Sequence, residues 1–237
     1  MRRNIALLIP LLALLVVTWG HEAPDPVQND PSIRTIALKL PSQKVLASYL
    51  GSFQLEHAWQ LESRGTRFSG YSSMLPLPDG RILALTDNGS FVRFFPPGTK
   101  QAPIQFGWLK FGHNLHRSPR DVESVAYDAS THRYWLGVEG SNAIIRLNSR
   151  FEQTARLRPV QMEDWGRNTG PEAMTRLPDG RFVVIREVTR SWQESRLHQA
   201  VMFDGDPVEH PAGHRFLFDG PDNFSVVDMA LLPDGRA

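Results

Sequence analysis

The chain has 237 residues, 41% of them hydrophobic and 22% charged, with 26 basic side chains set against 25 acidic ones and a net charge of +1. That is enough apolar material for a sizeable core, and the scattered, near-balanced charge with a pI near 8.2 excludes the basic stripe that a nucleic-acid partner would need. Cysteine is absent, so disulfides, thiolate metal ligands and a lipid-modified cysteine are excluded as well.

Arg2 and Arg3 precede an apolar stretch from Ile5 to Trp19. It is too short for a comfortable bilayer span and suits the h-region of a signal peptide. Thr18 and Gly20 place small residues ahead of a cut before His21. The expectation is export, periplasmic or secreted, with residues 5–19 as an uncleaved inner-membrane anchor in the alternative. Residues 1–20 are thus read as leader and 21–44 as linker, since His21 to Ser32 carries three Pro and several acids.

From Val45 onward the chain repeats itself. Leu-Pro-Asp-Gly-Arg occurs three times, at Leu77 to Arg81, Leu177 to Arg181 and Leu232 to Arg236, each after an apolar run in which Met74, Met174 or Met229 stands three residues before the Leu. Pro presets the first turn position, Asp bonds its own backbone and Gly takes the left-handed conformation, so each copy predicts a tight β-hairpin connection. A degenerate copy starts at Glu123 and turns through Asp128-Ala-Ser-Thr-His132. After the turns run short apolar strands ending in a carboxylate, Ile82 to Asp87, Tyr134 to Glu139 and Phe182 to Glu187, and further strands fit Phe91 to Phe95 and Ala143 to Leu147. Units about 50 residues apart predict an all-β fold, a β-propeller of four-stranded antiparallel blades over residues 45–237 with about four blades present. The fourth unit stops at Arg236-Ala237, directly after its turn, which predicts a C-terminally truncated, incomplete array.

Inner strands of successive blades line one channel, so equal positions in the repeats converge there. Glu123 and Glu172 match, and Asp228 is offset by one residue. A second set, Asp87, Glu139 and Glu187, ends the second strands and returns to the same rim. Gathered carboxylates repel, and a shared proton, a neighbouring cation or a hard metal such as calcium relieves them. The plain structural alternative is that each acid ties its blade to the next through backbone N–H groups or Arg. Arg120 and Arg186 could bring positive charge to the rim. The pairs His113/His116 and His210/His214 lie in loop-like sequence without the Glu of a zinc-hydrolase helix. Trp59, Trp108, Trp135 and Trp192 suit blade packing, and Trp165 sits in a polar, Gly-rich segment of the kind that overhangs a channel mouth. No nucleophile elbow, P-loop or dinucleotide fingerprint occurs.

Gly70-Tyr-Ser-Ser-Met with Leu85-Thr-Asp-Asn-Gly, Asp121-Val-Glu-Ser-Val-Ala, Asn168-Thr-Gly-Pro-Glu-Ala-Met and Val227-Asp-Met-Ala-Leu-Leu-Pro-Asp-Gly-Arg together resemble the ordered motifs of the phytase-like propeller family, known as "esterase-like activity of phytase". The resemblance covers Val45 to the C-terminus and implies an exported, longer protein that hydrolyses esters or phosphoesters. It marks Asp87, Glu123, Glu172, Glu187 and Asp228 as family-type acidic positions without assigning roles, and it departs at Asn88, where the family pattern implies Arg. The expectation is a calcium-assisted hydrolase acting on a small-molecule ester or phosphoester. Asp87, Glu123, Glu172 and Glu187 are its catalytic candidates and Glu123, Glu172 and Asp228 its metal ligands. A non-catalytic periplasmic propeller that binds a ligand or protein is the rival, and a calcium-dependent lactonase-like propeller that also uses Asn142 and Asn168 is a third possibility. A membrane partner is expected only through the N-terminal segment.

Overall fold

The computed structural model describes residues 32–51, 53–65, 68–100, 102–111, 121–189, 196–232 and 235. The expectations for the leader, His113, His116, Arg120, Trp192 and Arg236 lie outside them. The repeated turns form as their chemistry dictates. Gly80, Gly180 and Gly235 take φ of 86°, 94° and 84°. Their N–H groups donate to the carbonyls of Leu77, Leu177 and Leu232 at 2.9, 3.0 and 2.9 Å. Asp79 and Asp179 each accept the backbone N–H of the Arg two residues on, at 3.0 and 3.1 Å. In the degenerate copy Asp128 organises the longer loop, accepting from Ser130 N and Thr131 Oγ1.

Among the described residues the chain forms three four-stranded antiparallel sheets, the blades of a β-propeller. Blade 1 contains β3 (Tyr71–Pro76), β4 (Ile82–Thr86), β5 (Ser90–Phe94) and β6 (Gln105–Trp108). Blade 2 contains β7 (Val122–Asp128), β8 (Arg133–Val138), β9 (Ala143–Leu147) and β10 (Gln153–Leu157). Blade 3 contains β11 (Pro171–Arg176), β12 (Phe182–Thr189), β13 (Leu197–Phe203) and β14 (His214–Asp219). In each blade the strands are paired in sequence order, and β3, β7 and β11 are neighbours in space, so the first strand is the inner one. The fourth repeat, Ser225 to Leu232, joins no sheet among the described residues, but Val226 N–H donates to the Glu187 carbonyl at 3.3 Å.

A short ribbon precedes the blades, β1 (Arg34–Ala37) antiparallel to β2 (Trp59–Glu62), with helix α1 (Gln43–Leu50) between them. β1 falls inside the span read as linker, because Ile36 pairs into the ribbon opposite Gln60. Among the described residues, helix is otherwise limited to two single 3-10 turns, Glu139–Ser141 and Val160–Met162. No described helix is long and apolar enough to cross a membrane.

Blades bury their faces against one another. Leu83, Leu85 and Phe91 of blade 1 meet Val125, Leu136 and Ile145 of blade 2 in one core. Trp135 and Ile144 of blade 2 meet Met174, Phe182 and Phe203 of blade 3 in a second, to which Trp165 belongs. Each fully buried side chain of this size contributes about 1.5–3 kcal/mol. Polar ties cross the same seams. Ser124 Oγ donates to the Pro171 carbonyl at 2.6 Å, and Asp206 of blade 3 accepts from Trp135 Nε1 at 2.8 Å and from Arg146 Nη1 at 2.5 Å.

Candidate functional site at the blade rim

Each inner strand slips register at the same place. The ladder is interrupted between Tyr71 and Ser73, between Val122 and Ser124, and between Pro171 and Ala173, leaving Ser72, Glu123 and Glu172 as the extra residues. A bulge re-aims its side chain and bends the strand. At the end of each second strand the N–H of Asp87, Glu139 or Glu187 donates to the carbonyl of Gly70, Asp121 or Gly170, at 3.2, 2.8 and 3.2 Å, so these three acids also occupy one equivalent position. Glu123 and Glu172 thus share a rim with Asp87, Glu139 and Glu187, whereas Asp228, expected there too, does not join them.

The carboxylate oxygens of Glu123, Glu139 and Glu172 lie within 4.8 Å of one another, and all three side chains are half-buried. Burial and then the neighbouring acids push Glu172 up to about 8 and Glu123 up to about 7. Glu123 feels Glu139, Asp121, Asp87 and Glu187 in turn, and Glu172 feels Glu123, Glu187, Glu139 and Asp121. Glu139 is raised as well, by burial first, although the Gly170 N–H donated to its Oε1 at 3.3 Å pulls the other way. Among the described residues none of the three is ion-paired.

Asp121 completes the negative field. It stands where the other blades have Gly70 and Gly170, and its φ of 79° matches the left-handed 66° of Gly70. Asp tolerates that region better than most residues because its short side chain bonds locally. Reading the three repeats in register would have exposed it as an acid in a glycine position.

Arg186 makes no ion pair with the acids, and the carboxylate whose charge it feels is Asp164. Its guanidinium is used by Thr169 Oγ1 at 2.8 Å and Gln199 Oε1 at 2.9 Å. Asp228 stands outside the three-acid group. It is exposed, accepts the Met229 N–H at 2.7 Å and lines a separate cavity of about 280 Å3 with Tyr71, Ser72 and Ser73. Asp87 accepts the N–H of Asn88 at 2.6 Å, and Asn88 Oδ1 accepts Thr86 Oγ1 at 2.7 Å, so in place of an Arg this Asn closes a hairpin. Asn142 Nδ2 donates to the Trp165 and Gly166 carbonyls. Trp165 itself is 3% exposed, a packing residue beneath the loop. His214 pairs with exposed Asp204 at 3.5 Å, and neither it nor His210 belongs to a potential metal group among the described residues.

A model of the phytase-like family, described as esterase-like activity of phytase, matches residues 66–237. The chain belongs to this family. No curated protein matches it in sequence. Among solved structures it is similar to the extracellular domain of BT4673 from B. thetaiotaomicron, at 14% identity over 74% of this chain and 21% of the other with a TM-score of 0.43. It is also similar to streptogramin B lyase, at 13% identity over 65% and 42% with a TM-score of 0.36. A Bacteroides uniformis protein assigned as a 6-phosphogluconolactonase matches at 12% identity over 70% and 45% with a TM-score of 0.42. The chain thus spans 21 to 45% of the length of these structures. The phytase-like fold is established by the sheets themselves and the family match, not by these likenesses.

The donor set suits a hard cation. Three carboxylates without an ammonium or guanidinium partner among the described residues, raised by burial and mutual repulsion, offer oxygen donors of the kind a hard cation takes.

Proposed function

We propose that this chain forms part of an exported phytase-like propeller that hydrolyses an ester or phosphoester, with Glu123, Glu139 and Glu172 as the ligands of a calcium ion at the channel mouth. The observation that carries the reading is the approach of three carboxylates to within 4.8 Å without a cationic partner among the described residues. When bound, the ion supplies Lewis-acid polarisation of the scissile group and an acidified water.

The chain's own residues hold and move the protons. With no cation present Glu172, midpoint about 8, keeps a proton at neutral pH, which relieves its repulsion with Glu123, midpoint about 7. Occupation of the site requires the carboxylates in their charged form, so binding releases protons. Asp87 and Glu187 flank the group on the same rim and are the bases for an attacking water. Asp228, from its separate cavity, is left out of the ligand set, and Glu139 takes its place.

One contact favours the rival reading. The Gly170 N–H donated to Glu139 is a tie between blades, and a rim built only of such ties would belong to a propeller that binds a ligand or protein without chemistry. Calorimetric titration of calcium into wild type, Glu123→Gln and Glu172→Gln, alongside phosphoester turnover with and without chelator, separates the two. Saturable calcium binding that is lost in both variants, with turnover abolished by chelation, supports the hydrolase. Equal calcium affinity in all three proteins leaves the acids as ties and ends it.

A further inference from the structure

Register places Met74, Ala84 and Val92 on one face of blade 1, since Ala84 stands opposite both of the others. The other face, with Leu83, Leu85 and Phe91, is taken up by the core shared with blade 2. The face carrying Met74 is turned away from that seam and walls the cavity of about 280 Å3 that Asp228 also lines. Phe94 continues this wall, and Leu61 of β2 and Phe68 of the connection to β3 close a second side. Asp228 arrives from the other end of the chain, on a segment whose Val226 and Met229 pack against blade 3. The cavity thus has a floor and a mouth. Ala84 and Val92 are buried, whereas Met74 is 56% exposed and Asp228 opens to solvent.

The walls are mostly apolar, and their polar groups are all oxygens. No side chain lining the cavity carries a nitrogen, and Asp228 is the only charged residue among them. Its carboxylate accepts the Met229 N–H at 2.7 Å and, among the described residues, pairs with no cation. Enough of it is covered for burial to raise the carboxyl above its usual range. Ser72 has committed its hydroxyl hydrogen to the Val122 carbonyl, which leaves an oxygen that can only accept. The Tyr71 hydroxyl is buried without a partner, and burial pushes the phenol up to about 12, so it stays neutral. Phe68 meets the Tyr71 ring edge-on at 5.3 Å, and with Phe94 these are the aromatic part of the wall. Acceptors, one negative charge and aromatic rings suit a ligand that brings the N–H donors, the positive charge and an apolar body.

We propose that this cavity binds a small organic ammonium, with its apolar body against Ala84 and Val92 and its charged head at the mouth beside Asp228. The rim acids take no part in it. The site stands whether or not the rim holds calcium or carries out hydrolysis.

The test is calorimetric titration of benzylamine into the full chain at neutral pH, where the probe is an ammonium. Saturable binding is expected at about 1 mM or tighter, weakened about tenfold or more in Asp228→Asn. Asp228→Glu keeps the charge and should recover part of the affinity, which separates recognition from a folding defect. Benzyl alcohol has the body without the charge and methylamine the charge without the body, so each should bind about tenfold more weakly or worse. Glu123→Gln/Glu172→Gln should bind benzylamine as the wild type does. Absence of saturable binding by wild type, equal affinity in Asp228→Asn, or equal affinity for benzyl alcohol overturns the site. Binding lost in Glu123→Gln/Glu172→Gln and kept in Asp228→Asn would put the ammonium on the rim acids and overturn it as well.

Discussion

Replacing Glu172 by Gln in calcium-free protein should make it more stable at alkaline pH, not less. In the folded chain the carboxyl is raised from 4.5 to about 8, by burial first and then by Glu123, Glu187, Glu139 and Asp121. Below pH 4.5 the group is protonated whether folded or unfolded and costs nothing. Between 4.5 and about 8 the unfolded chain ionises first, so the native state binds more protons and stability falls as pH rises, reaching its full loss above the folded midpoint. At about 1.4 kcal/mol per pKa unit the shift corresponds to about 5 kcal/mol, but the side chain is only half-buried and water screens its neighbours, leaving on the order of 2 kcal/mol. Gln has the same shape without the charge, so it removes that cost. Urea unfolding in chelator across pH 5 to about 9 reads the effect directly. The variant and wild type should coincide at the acid end and diverge by about 2 kcal/mol, or about 5 °C in melting temperature, at the alkaline end. Added calcium should restore the wild type and leave the variant largely unchanged. A variant profile parallel to the wild type, or one less stable at alkaline pH, would refute the account of the three acids as a repelling group.

Three further outcomes follow from the blade architecture. Gly180→Ala forces a side chain into φ of 94° and should cost about 1–2 kcal/mol in chemical denaturation while leaving calcium binding intact. Asp206→Ala removes the shared acceptor of the Trp135 indole, the Val208 N–H and Arg146, and should lower stability by about 2–4 kcal/mol with a change in Trp135 fluorescence. Ser124→Ala leaves the buried Pro171 carbonyl without its donor and should cost about 1–3 kcal/mol, measured in the same unfolding assay.

Turn chemistry is local, which is why the three Leu-Pro-Asp-Gly-Arg copies and the Asp128 loop foretold the hairpins, and through their spacing the blades. The convergence of Glu123 and Glu172 was equally legible, since equal repeat positions are brought together around the channel. Asp228 lacks that equivalence. Counted back from Gly80, Gly180 and Gly235, it aligns with Ser73 and Ala173, the residues just past the bulge, and it stays outside the group. Glu139 was legible as a rim acid at the end of its strand, together with Asp87 and Glu187, but nothing in the sequence singled it out from those two as the one that joins Glu123 and Glu172. The β1–β2 ribbon was hidden for a different reason, its partners being separated by α1.

The bulge at Ser72, Glu123 and Glu172 also separates the chemistry of the rim from the arithmetic of the pleat. In an uninterrupted strand, changing where one side chain points changes the facing of every residue after it. Here the extra residue absorbs that phase, so Ala173 and Met174 still reach opposite faces of blade 3 whatever precedes them. The first blade carries Ser and the next two carry Glu at this place, over the same ladder. Positions 123 and 172 thus present their side chains to the rim without involving the cores, whereas Ser72 at the same place donates its Oγ–H to the Val122 carbonyl and ties blade 1 to blade 2. A rim of different charge could be written into the two Glu positions, but into the first only at the cost of a tie.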